Sequence, residues 1–80
     1  MSIYQPGDEV KVKFQFKETG LSEFLWFIVT YADDEQQFVF GYLDSEPKVN
    51  THMRFGMELV IGYGNIKDHI KASALTSPSP

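Results

Sequence analysis

From Val10 to Lys17 apolar and polar residues alternate without a break. Val10, Val12, Phe14 and Phe16 take one set of positions, and Lys11, Lys13, Gln15 and Lys17 take the other. Side chains on a strand point to opposite faces with period two, so this run predicts an antiparallel strand with one apolar face for a core. The opposite, lysine-rich face is left for water, for guarding a sheet edge, or for a partner.

The remaining pattern is also that of strands. Phe24 to Tyr31 is a continuous apolar run rich in aromatic and β-branched residues, which predicts a strand covered on both faces or bent across a small barrel. The polar, acidic turn Ala32-Asp33-Asp34-Glu35-Gln36 leads into a third strand, Gln37 to Leu43, and the two form a hairpin. Gly41 in mid-strand marks a bulge, a sharp bend or a close backbone approach. Pro47 ends this segment, and Lys48 to Phe55 reads as an irregular crossing with room for a short strand at Val49. A fourth strand runs from Met57 to Tyr63. Asn65 then N-caps a single helical or 3₁₀ turn through Ile70, with Ile66 and Ile70 on one side. The stretch 72–80 reads as a disordered tail, leaving residues 1–71 as one domain.

Short strands, tight connections and a closing helical turn predict a mainly β protein. The expected form is a small, strongly bent antiparallel sheet, an SH3-like barrel. The alternative is a five-stranded barrel of the oligonucleotide-binding type, whose usual helix would have to fit into Lys48 to Phe55.

Composition refines this picture. At 80 residues the chain buries only about 60% of the surface its unfolded form exposes. Seven Phe, four Tyr and one Trp are therefore expected to serve mainly as core. With no cysteine there is neither a disulfide framework nor a thiolate metal site, which fits a reducing compartment. No apolar stretch reaches the roughly 20 residues of a membrane helix, and Met1-Ser2-Ile3-Tyr4-Gln5 is not a secretory signal, so a cytoplasmic protein is expected. A net charge of −4 argues against broad nucleic-acid binding, which begins with phosphate neutralisation.

Candidate chemistry is sparse. The serines lack a nucleophile elbow, and His52 and His69 are the only bases of the usual kind. With Glu46 or Asp68 the two histidines could form a metal-dependent hydrolase site, but no ligand spacing enforces it, and solvated loop histidines are the stronger account. Asp33-Asp34-Glu35 lacks the alternating ligands of a calcium loop and reads as turn charge. Lys11, Lys13 and Lys17 could track a single nucleic-acid strand, although three lysines on a solvated strand face are ordinary. Trp26, Phe40, Tyr42 and Tyr63 could leave rings around a groove for a peptide or an ammonium group, and Trp26, Tyr42 and Tyr63 are the candidate binding residues.

In order and spacing, several landmarks line up: Gly7-Asp8 before the alternating strand, Trp26, Gly41-Tyr42-Leu43 with Pro47, Gly56-Met57-Glu58-Leu59-Val60, and Ile66-Lys67-Asp68-His69. From Gln5 to Lys71 the chain resembles the small bacterial proteins of the domain of unknown function 2314 family. It departs from them at Met57, where family members carry aspartate after the glycine. The resemblance implies a compact, mostly β bacterial domain and brings no activity or site residue.

The sequence thus leads to a non-enzymatic interaction module for an unknown protein or peptide, without a cofactor or membrane partner. It would be monomeric, or weakly dimeric through the edge of its first strand.

Overall fold

The computed structural model describes residues 3–17, 20–48 and 53–72. They form five strands: β1 (Glu9–Gln15), β2 (Ser22–Asp33), β3 (Phe38–Leu43), β4 (Glu58–Gly62) and β5 (Ile66–Ile70). All pair antiparallel in one sheet of order β4-β3-β2-β1-β5. The sequence-predicted tail and the possible strand at Val49 lie outside the described residues, apart from Ala72. No helix among the described residues is long and apolar enough to cross a membrane.

The alternation in β1 works as its pattern requires. Val10 and Val12 are buried, facing Phe27 and Leu25 of β2, while Lys11 and Lys13 face Trp26 and Phe24 on the other side. Phe14 and Phe16 are only half-buried, because they sit where the strand runs out. Val29, Val39, Leu43 and Ile61 complete the buried set. Phe27 is the one fully buried ring of the twelve, so the expectation that the rings serve mainly as core is not met.

Three further expectations change. First, β1 is not an edge. It pairs with β2 along its length and with β5 from Glu9 to Val12, so Lys11 guards no edge, and only Lys13 to Gln15 have no β5 partner. The ends of the order are β4 and β5, and no ladder joins them among the described residues, while Ile61 of β4 packs in one cluster with Val10 and Val12 of β1. Second, the closing segment is a strand rather than a helical turn. A short 3₁₀ turn occupies Tyr63–Asn65, with Gly62 rather than Asn65 at its N-cap, and Ile66–Ile70 continues as β5. Ile66 pairs with Val12 and His69 with Val10, across a bulge that absorbs one extra residue. With that bulge Ile66 lies on the inner face and Ile70 on the outward one opposite Glu9, so the two isoleucines do not share a side as a helical turn would place them. Third, among the described residues β2 is covered on one face only, so of the two readings of its apolar run the bend holds, at the register slip between Val29 and Tyr31.

Gly41 is where close approach matters. A Cβ there would lie 1.9 Å from the Ile28 carbonyl oxygen. The β2–β3 register slips beside it, between Val29 and Tyr31, and the Thr30 hydroxyl donates to the Phe40 carbonyl at 2.9 Å. Bulges of this kind increase local twist and bend the sheet.

Candidate interaction surface on the outward sheet face

Residues directly opposite each other on paired strands share a face, so the registers map the outward surface row by row. One row crosses all five strands as Ile70, Glu9, Ile28, Tyr42 and Glu58. The next reads Asp68, Lys11, Trp26 and then Asp44, whose backbone N–H donates to the Trp26 carbonyl at 2.8 Å. Lys13 and Phe24 begin a third row. On the other side, Tyr31, Phe40 and Val60 lie opposite one another. Phe24, Tyr31 and Val60 are each more than half exposed, and Phe40 and Tyr42 are exposed by more than a third. Small soluble proteins seldom show contiguous apolar patches beyond a few hundred Å².

Charges frame this patch. The Lys11 ammonium sits over the rings of Phe24 and Trp26, 5.3 and 5.9 Å from their centroids. Such a cation–π placement keeps the lysine stem flat on the rings and its head in water. Across β2, Glu9 and Asp44 approach closely enough to share a hydrogen bond. Burial pushes the Glu9 carboxyl above its usual range, and the hydrogen bond and like charge of Asp44 push it the same way. The segment after β3 wraps the tryptophan, since the Trp26 N–H donates to the Ser45 hydroxyl at 2.9 Å.

The structure brings Trp26 and Tyr42 together and separates Tyr63 from them. Tyr63, on the 3₁₀ turn, packs against the core and edge-on to Tyr4, with centroids 4.8 Å apart, and its hydroxyl donates to Asp34. The residues that sequence reasoning missed are Phe24 and Val60. Their parity with Trp26 and Glu58 was visible, but an unbroken apolar run does not say which of its faces is covered.

A second cluster gathers around Asp8, a side chain with no sequence signal beyond its turn. Its carboxylate is buried and accepts from the Gln5 N–H at 2.9 Å and the Ala72 N–H at 2.7 Å, and lies 2.7 Å from His69 Nε2. Burial alone would raise its pKa, yet the two backbone donors and His69 together hold it below the ordinary aspartate value. The Tyr4 ring lies against His69, with centroids 4.7 Å apart, and burial raises the Tyr4 hydroxyl's pKa. An aspartate orienting a histidine is half of a nucleophilic triad. Here the histidine's Nε2 points back into a carboxylate that also ties down both ends of the chain, which is the geometry of a structural clasp.

The described residues of the hydrolase alternative, Glu46, Asp68 and His69, are not gathered into one site. His52 lies outside the described residues, Glu46 is exposed, and Asp68 stands opposite Lys11 on the outward face while His69 stands opposite Val10 on the inner one. No group of three or more His, Cys, Asp or Glu among the described residues could hold a metal. In the acidic turn, Asp33 Oδ1 accepts from the Glu35 and Gln36 N–H groups, an arrangement that closes a turn. A shallow cavity of about 300 Å³, between Lys13, Gln15, Ile61 and Lys67, lies beyond the point where β5 stops pairing with β1.

No family model matches the chain, and no curated protein and no solved structure matches it. The resemblance to the domain of unknown function 2314 family therefore rests on the residues quoted for it.

Proposed function

We propose that this protein is a non-enzymatic interaction module that docks a protein partner on the outward face of its sheet. The observation that carries the reading is the row of rings and apolar side chains, Phe24, Trp26, Ile28, Phe40, Tyr42 and Val60, presented on three adjacent strands with no element of the described chain over them. Rigid strands present such side chains at little entropic cost, and aromatic anchors with a charged rim are what protein interfaces favour. Lys11 and Lys13 lie beside Phe24 and Trp26, the pairing a single-strand binder uses. However, Glu9, Asp44, Glu58 and Asp68 stand on the same face and oppose a phosphate backbone.

The test is selection of ligands from a displayed random-peptide library, followed by titration read through Trp26, the only tryptophan in the chain. Selected peptides should shift Trp26 emission and lose affinity for a Phe24→Ser, Val60→Ser variant. Peptides that bind this variant unchanged, or a selection that yields none, would overturn the reading.

A further inference from the structure

We infer that the partner on this face is a second copy of the same chain, packed outward face to outward face about a twofold axis running along β2, with Lys11 of each copy meeting Asp44 of the other. The inference rests on the interaction-module reading and names its partner.

The charge layout fits this arrangement. In the row through Trp26, Lys11 stands one strand to one side and Asp44 one strand to the other. A twofold axis parallel to β2 carries β1 of one copy over β3 of its mate. Both Lys11 heads then come to Asp44 carboxyls, and the contact occurs twice by symmetry. In the row through Ile28, Glu9 comes over Tyr42, whose hydroxyl can donate to it. The other in-plane axis, perpendicular to the strands, would stack β1 on β1 and set Lys11 against Glu9 instead. That pairing leaves Asp44 without a role, and exchange of charge between positions 11 and 44 tells the two apart.

Shape and area agree with a weak pair. Phe24, Trp26 and Ile28 lie along the axis, where two sheets about 10 Å apart interdigitate their side chains. Strand spacing from β1 to β4, and the rise from Phe24 to Tyr31, give a patch of roughly 20 by 23 Å in plan. A face of that size buries about 900 Å² over the two copies, below the standard interface and in the range of weak, transient pairs.

The experiment is sedimentation equilibrium of the full chain from about 10 µM to about 1 mM, with Lys11→Glu, Asp44→Lys and an equimolar mixture of the two. The wild-type mass should rise from 9.2 kDa toward twice that value with concentration. Each single variant should associate about tenfold or more weakly, because attraction becomes repulsion at both symmetric contacts. The mixture should recover association. In the mixed pair the carboxylate introduced at position 11 of one copy meets the ammonium introduced at position 44 of the other, while the retained Lys11 and Asp44 still pair. That recovery also shows both variants to be folded. A wild type that stays at 9.2 kDa at the highest concentration overturns the inference, as does association that neither swap changes. A monomeric protein whose face still captures displayed peptides overturns self-pairing alone and leaves the module standing. If the Phe24→Ser, Val60→Ser variant associates as the wild type does and selection finds no ligand for the face, both readings fall.

Discussion

Replacing Asp8 tests the clasp that joins the two ends of the chain. Asp8→Ala removes one buried carboxylate and three partners at once: the Gln5 and Ala72 N–H groups and His69 Nε2. A hydrogen bond to a charged group contributes about 1.5–3 kcal/mol. Gln5 is exposed and Ala72 half-buried, so water can replace part of what they lose, and the cost should be about 3–4 kcal/mol. An 80-residue domain has roughly 4–12 kcal/mol in all, so this variant can approach unfolding. Asp8→Asn is the milder companion. It keeps the shape and one acceptor but turns an amide NH₂ toward a backbone N–H, at a cost of about 2 kcal/mol. Urea denaturation followed by Trp26 fluorescence is the assay. With m near 1 kcal/mol/M the midpoint of Asp8→Asn should fall by roughly 2 M. The pH dependence supplies a signature. Because the folded carboxyl sits below its ordinary value near 3.8, its contribution is complete above that value and is lost as pH falls through the lower, folded one. Wild type should therefore lose stability below about pH 4 more steeply than Asp8→Asn. Equal midpoints at neutral pH, together with equal acid slopes, would refute the clasp.

Other substitutions probe the rest of the account. Phe27→Ala, at the one fully buried ring, should cost about 3–5 kcal/mol, whereas Lys13→Ala should change stability by less than about 0.5, both by the same urea assay. Gly41→Ala drives a methyl into the Ile28 carbonyl and should cost roughly 2–4 kcal/mol, and a value near zero would contradict the close approach of β2 and β3. Glu9 behaves oppositely to its neighbour Asp8. Its carboxyl is raised in the folded state, so the charged form is disfavoured above the ordinary glutamate range, and Glu9→Gln should raise stability at pH 7 by up to about 1 kcal/mol with no gain at pH 3.

Much of the sheet was legible because its signals are local. The alternation in β1, the apolar run of β2, the acidic hairpin turn and the bend at Gly41 all follow from side-chain period and turn chemistry. What failed depends on contacts across the chain. β5 looked helical because Ile66 and Ile70 stand four apart, whereas a bulge that exists only against β1 puts Ile66 on the inner face and Ile70 on the outward one. β1 looked like an edge because its β5 partner was not recognised as a strand. Asp8 looked like turn punctuation because His69 and Ala72 lie more than sixty residues away. The candidate surface was half legible. Trp26 and Tyr42 share the outward face, but Tyr63 belongs to the 3₁₀ turn, and nothing local shows which face of β2 stays bare.

The central claim is that the outward face is where this protein meets a partner. Amide chemical-shift mapping of the protein alone, from about 20 µM to about 1 mM, tests it most directly. Shifts should grow with concentration at Lys11, Phe24, Trp26, Ile28, Tyr42 and Val60, and leave Tyr4, Asp8 and His69 unmoved. A spectrum that does not change with concentration would overturn self-pairing, and shifts gathered around Asp8 and His69 would contradict the claim itself.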